Sequence, residues 1–488
     1  MVPAKHTCLA GIPSAMIRRL VSYSAALYAM VILASVVRVG LRALIAKTAG
    51  MEALGAYAFF GTAIVIGTTI TAVGLRRSLT KFVVAEGETA GAGREVSAIM
   101  ALFVALSLVL WGCGLALRQF VDPVYFFVFI GLGPAVILEL ARAAFRGQFD
   151  QGREILLLAS SLVAQALFIG SATLLFDSAQ APLWGAAAAS LVVAAAVVGY
   201  FLHRYTAAWR FGALAETCRS ARFSGLVALS MPIWVFELIG LFSHYADQVI
   251  LQQSLGYTAM ATYAAALTFL GLLDQPLAIL SRISLVAFSG SQYTDAEPYQ
   301  AGTSLNVMAF SVLGLAITAL SIPFTPIIFT EEYTSVPTLV AILSVACIFQ
   351  SAEVFNSSLT IARDFPGVNR DASIVTAVLC LPLAYVLVQS AGVIGAACSY
   401  TASWSIYAVV QALLMGRKLP LHAAMTLKLM CASALLYGLA VAAICRMETA
   451  WSFVAIAPAF LLAGHVLGIW NLKDVRGLVR LLQQKLPS

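Results

Sequence analysis

Charge is the scarcest resource in this 488-residue chain, in which Asp, Glu, Lys and Arg together make up 10% of residues while 61% are hydrophobic. Soluble domains carry roughly 25% charged residues to cover a water-facing surface, so an ordinary soluble enzyme is excluded. The alternating apolar and polar segments of about ten residues that build a membrane barrel are also missing, which argues against a β-barrel. The eight cysteines are scattered through apolar runs with no CxxC pair and no metal-ligand spacing. No disulfide framework, metal site or cofactor is called for. A GxxxxGK loop followed by Ser or Thr does not occur, so ATP hydrolysis by this chain is not expected.

What the sequence has in abundance is long apolar runs, almost without pause from Leu20 to Trp470. A helix crossing a hydrocarbon core of about 30 Å needs about 20 apolar residues. The expected fold is therefore an all-α polytopic membrane protein of about 14 transmembrane helices. The runs extend from 20–46 to 451–470, and the narrowest gap is the four residues Gln389, Ser390, Ala391 and Gly392. The first run follows Arg18 and Arg19 and is long enough to remain as an anchor, so no cleavable signal is expected.

The net charge of +7 is explained by topology. Of the 29 lysines and arginines, 24 fall at the N-terminus, in every second loop or in the C-terminal tail, whereas the opposite loops hold Lys47, Arg118 and Arg446. Lysine and arginine resist translocation, so both termini are expected in the cytoplasm. A basic nucleic-acid surface is not. The outer loops, such as Arg118 to Asp122 and Gln252 to Thr258, are too short to hold the acid, base and acceptor of a membrane polymerase. Enzymatic activity is not expected.

An internal repeat divides the chain. With a constant offset of 206, Gly50 falls on Gly256, Ala53 on Ala259, Tyr57 on Tyr263, Arg76 on Arg282 and Phe82 on Phe288. Six helices per repeat is an even number, so the halves enter the membrane in the same sense and form two lobes about a central cleft. The expected division is an N-lobe at 1–222, a C-lobe at 223–421, two extra helices at 422–470 and a cytoplasmic amphipathic tail at 471–488.

Several stretches resemble the polysaccharide flippases of the multidrug, oligosaccharidyl-lipid and polysaccharide exporter superfamily. LIAKTAGMEALGAYAFF followed by VGLRRSLTKFVV is similar to that family's first hairpin. LSMPIWVFELIGLFSHYADQVILQQSLG followed by TYAAAL is similar to its seventh span, and NSSLTIARD and NLKDVRGLVRLL also fit. The resemblance implies a two-lobed bundle with alternating access. It would carry a polyprenyl-pyrophosphate-linked oligosaccharide from the inner to the outer leaflet of a bacterial cytoplasmic membrane, in many relatives coupled to an ion. Membrane lipids and a polysaccharide polymerase or assembly proteins would be its partners. A lipid-linked peptidoglycan precursor flippase, a multidrug or cation antiporter of the same superfamily, and a non-transporting assembly scaffold are the alternatives.

Ionisable residues inside apolar runs are the site candidates, because each costs roughly 2.5 to 3.5 kcal/mol at bilayer depth without a partner or water. Arg38 and Arg42 lie four apart and share a helix face, a cationic stripe suited to two-point contacts with phosphate oxygens. Internal salt bridges and snorkelling are the structural alternative. Glu237, His244 and Asp247 fall on one face of the seventh run, and the repeat places His244 on Arg38. Asp247 and Glu237 are candidate ion carriers and His244 a substrate contact, or else Asp247 pairs with an arginine such as Arg42. Glu139 is a further ion candidate that could instead pair with Arg142, three residues on. Asp274 and Glu353 complete the ion-coupling set, and Trp234 is a candidate for stacking on sugar.

Overall fold

The computed structural model describes residues 14–470 apart from 77, 81–89, 148–149, 205–215, 217–218, 290–295, 364 and 448–451. Among the described residues there is no strand, and the chain is a polytopic helical membrane protein. The helices are α1 (Ser14–Thr48), α2 (Gly50–Thr71), α3 (Ala90–Leu117), α4 (Pro123–Gly147), α5 (Gln151–Leu175) and α6 (Ala181–Arg204). A 69-residue helical stretch, Ala221–Ser289, follows. It is interrupted at Gly256, whose φ of 78° lies in the left-handed region that a side chain with Cβ resists. We call its parts α7 (221–255) and α8 (257–289). They form a hairpin, because Tyr263 hydrogen-bonds Asp247, sixteen residues earlier and about 24 Å away in a continuous helix.

The remaining helices are α9 (Ala296–Ile328) and α10 (Val336–Ala362). Pro366–Gly416 is a second doubled stretch, broken at Gly392 with φ 60° into α11 (366–391) and α12 (393–416). A Cβ on Gly395 would sit 1.8 Å from the Leu387 carbonyl oxygen, so the reversal presses backbone on backbone. α13 (Pro420–Met447) and the 15-residue α14 (Ser452–Val466) end the described chain. Among the described residues eleven stretches are long and apolar enough to cross a membrane, and two of them, at 51 and 50 residues, contain the hairpins just described. Sequence placed a loop at 252–258; helix continues through it on both sides of Gly256.

Two compact units emerge among the described residues: Leu33–Ala264, and the described residues from Ala265 on together with those up to Ile32. In the first, α5 packs on α6 and α3 on α4. Its core is built of small and branched residues from α2 to α6, among them Val96, Met100, Val136, Leu140, Ala141 and Val193. In the second, α9 packs on α10 and α13, around Val307, Leu315, Ile348, Met430 and Tyr437. Trp470 is 3% exposed and donates its indole N–H to the Leu461 carbonyl at 3.1 Å. Trp184, half exposed near the start of α6, has the amphipathic ring that suits a membrane interface. The tail at 471–488 lies outside the described residues.

Candidate functional site

The repeat-related hairpins set the frame. Gly50 and Gly256, aligned by the 206-residue offset, both take positive φ, 85° and 78°. Each reverses the chain between two apolar helices, and each places a tyrosine seven residues later. Tyr57 stands within electrostatic reach of both Arg38 and Arg42. Tyr263, fully buried, donates its hydroxyl to Asp247 Oδ2.

Arg42 leaves α1 to donate from Nη1 to the backbone carbonyl of Ala264 at 3.2 Å. Ala264 directly follows Tyr263. Arg42 and Asp247 are therefore braced by neighbouring residues on one turn of α8, although no ion pair joins them. Asp247 is 3% exposed, and among the described residues its Oδ1 has no hydrogen-bond partner. A buried carboxylate with one committed and one open oxygen is suited to accept a proton or a small cation. Arg38, one turn before Arg42 on the same face, is exposed. The unit thus holds two guanidinium groups in series, one braced and one open, beside a buried acid.

The other members of the predicted α7 face lie elsewhere. His244 is partly buried within a turn of Asp247. Glu237 is about 15 Å farther along the helix and pairs with Arg76 at 3.2 Å, with its side chain 8% exposed. Trp234 donates its indole N–H to the carbonyls of Thr69 and Ile70, at 3.2 and 3.1 Å. These are end-of-helix carbonyls of α2, which lack acceptor duty in the helix itself. The polar edge of Trp234 is thereby engaged, leaving the ring faces. Glu139 and Arg142 form the local pair, at 2.8 Å. The Asp274 side chain lies outside the described residues.

The second unit holds its own polar cluster. Glu353 on α10 accepts from the Ser357 hydroxyl, and Ser357 accepts from Gln411 Nε2 on α12 at 2.9 Å. Gln411 also donates to Asn369 Oδ1 on α11 at 3.0 Å, as does Thr360 at 2.9 Å. Gln411 and Thr360 are fully buried, and Gln411 Oε1 has no partner among the described residues. Tyr57, Tyr263, Ser357, Gln411 and Asn369 were not singled out from sequence. The two tyrosines could have been, since the repeat aligns them; polar uncharged residues in apolar runs give no signal of their own. Among the described residues, no group of three His, Cys, Asp or Glu could hold a metal ion.

No protein-family model matches the sequence, and no curated protein does. Solved structures do. The chain is similar to the lipid II flippase MurJ in an inward closed conformation, at TM-score 0.68 and 12% identity over 92% of this chain and 98% of that one. It is also similar to an inward-facing multidrug resistance MATE transporter of the MOP superfamily, at TM-score 0.60 and 15% identity over 81% and 96%. A third is a MOP superfamily transporter from Pyrococcus furiosus described as having a binding pocket of reversed polarity, at 0.53 and 16% over 81% and 95%. The fold is that of the MOP superfamily transporters, the superfamily to which the resemblance in sequence pointed.

Proposed function

We propose that this chain is a flippase that moves a polyprenyl-pyrophosphate-linked oligosaccharide from the cytoplasmic to the outer leaflet of a bacterial cytoplasmic membrane by alternating access, for polysaccharide export. The observation that carries this is the arginine pair on α1. Arg42 is braced by the Ala264 carbonyl and Arg38 is exposed one turn away, within a helix otherwise apolar enough to cross a membrane. Guanidinium forks in sequence match the oxygens of a diphosphate, and an antiporter for cationic drugs would gain nothing from them. Asp247, with its open Oδ1, carries the coupling ion, and His244 contacts substrate beside it. Both termini lie in the cytoplasm, and the chain supplies no ATP-hydrolysing site.

A second substrate, the lipid-linked peptidoglycan precursor, is favoured by the nearly complete coverage of MurJ by this chain. Leaflet-specific labelling in proteoliposomes separates the two. One set of vesicles carries a polyprenyl-pyrophosphate oligosaccharide and the other lipid II, each with and without an imposed proton gradient. Translocation of the oligosaccharide that is lost in Arg38→Ala supports the proposal. Translocation confined to lipid II replaces it with the second reading, and translocation of neither overturns both.

A further inference from the structure

α2 does not end as a helix ordinarily ends. After Thr71 the chain passes through Val73 at φ 46° and Gly74 at φ 69°, then is helical again at 75–76 and 78–80. Glycine adopts this left-handed region freely, but a β-branched valine there is strained, and such strain persists where surrounding contacts impose it. The contacts come from α7, which runs antiparallel to α2. A Cβ on Gly74 would lie 2.4 Å from the Ser230 carbonyl oxygen and 2.9 Å from the Trp234 nitrogen. Ser230 and Ser78 join their hydroxyls at 2.5 Å, on the far side of the break. Trp234 caps the Thr69 and Ile70 carbonyls on the near side, and Glu237 holds Arg76. Ser230, Trp234 and Glu237 are spaced i, i+4 and i+7, so one face of α7 clasps both sides of the break.

The opposite end of the same seam is built differently. There a Cβ on Gly55 would lie 1.8 Å from the Tyr257 carbonyl oxygen, and Thr62 donates to Gln248 within the buried stretch between. That end is backbone against backbone with no strained residue. The end at Val73 also sets Gly74 against the Ser230 and Trp234 backbone, but it is strained and held besides by side-chain hydrogen bonds and one ion pair, contacts that can be exchanged for water.

We infer that the break in α2 at Val73–Gly74 is imposed by α7, and that the seam opens at this end, with α2 straightening through the break as the clasp of Ser230, Trp234 and Glu237 releases. In the transport cycle proposed above this opening is the gate on the Arg76 side of the unit; the inference rests on that cycle for its purpose, whereas its test needs no substrate.

The test is the rate at which a maleimide labels Ser230→Cys in the full chain, with the eight native cysteines replaced by serine, in liposomes of phosphatidylethanolamine and phosphatidylglycerol. Ser230 is 1% exposed, so labelling reports opening. Trp234→Phe removes the capping donor and raises the rate, on the order of tenfold. Val73→Gly relieves the strain that favours opening and lowers it by a similar factor. Ser97→Cys, fully buried in α3 of the same unit, keeps its rate in both backgrounds and excludes global unfolding. Glu237→Gln, which deletes the ion pair and keeps the shape, raises the Ser230→Cys rate too and serves if Trp234→Phe does not fold. Equal rates across the variants, a faster rate in Val73→Gly, or parallel changes at Ser97→Cys would overturn the inference.

Discussion

The two polar clusters of this membrane protein solve the same problem in opposite ways. In the unit spanning Leu33–Ala264, charge is present on both signs: Arg38 and Arg42 on α1, and Asp247 on α7. Arg42 donates to a backbone carbonyl and Asp247 accepts from the Tyr263 hydroxyl, so each charge is braced by a neutral group. In the other unit Glu353 is the one acid in a network of Ser357, Gln411, Asn369 and Thr360, with hydroxyls and amides bonded to one another and Gln411 Oε1 left open among the described residues. A guanidinium braced by a dipole retains its attraction for an anion, whereas a network whose one ionisable member is a carboxylic acid and whose open atom is an amide oxygen has little to offer one. This difference supports the proposal that the first cluster recognises an anion, with the second in a structural role or as an ion site.

The largest effect that would sharpen this difference is on transport. Arg38→Ala combined with Arg42→Ala should lower the rate of leaflet-specific labelling by roughly a hundredfold, from two charge-assisted contacts of about 1.5 kcal/mol each at a tenfold rate per 1.4 kcal/mol. Glu353→Gln in the same vesicles should change it far less. If Glu353→Gln is the more damaging, the assignment of the clusters is reversed.

Next comes coupling. Asp247→Asn should abolish the stimulation of translocation by a proton gradient while leaving downhill translocation measurable, and Glu353→Gln should keep the stimulation. Stimulation that survives Asp247→Asn and disappears in Glu353→Gln moves the coupling ion to the second unit.

Stability separates the clusters more finely. Tyr263→Phe removes the described partner of Asp247 Oδ2 and strands a buried carboxylate, at a cost of about 1 to 3 kcal/mol. Ser357→Ala leaves the Gln411 amide its second acceptor, Asn369, and removes the described donor to Glu353, a partly buried acid, so it should cost about 1 kcal/mol. Thermal unfolding in detergent checks the order. The smallest effect belongs to Glu139→Gln, which breaks a pair with side chains 32% and 23% exposed and should shift stability by less than about 1 kcal/mol.

Much of this was legible in the sequence. Runs of apolar residues announced the helices because a span has one length that fits the bilayer, and the count of charges per loop followed from the same constraint. Both glycine reversals lay within gaps the run lengths located, at 252–258 and at 389–392. Arg38, Arg42 and Asp247 stood out because charge in an apolar run is costly wherever it points. Glu237 and Asp247 share a helical stripe, yet they occupy different sites: period alone does not reveal that Arg76 meets one and Tyr263 the other. Trp234 was read for its ring, and its N–H turned out to serve the end of α2.

The sequence by itself determined that the chain is a bundle of membrane-spanning helices, that it turns back within 252–258 and 389–392, and which side chains carry charge into the apolar runs. These depend on local composition, on run length and on the cost of burying charge, all of which act along the chain. The tertiary structure decided which charges are braced and which are paired, and that Val73 is forced into a left-handed conformation. Those outcomes depend on hydrogen-bond partners one helix or more away, such as Ala264 for Arg42 and Ser230 and Trp234 for the end of α2. Hydrogen bonding acts over about 3 Å, and only packing brings residues more than 150 positions apart to that distance.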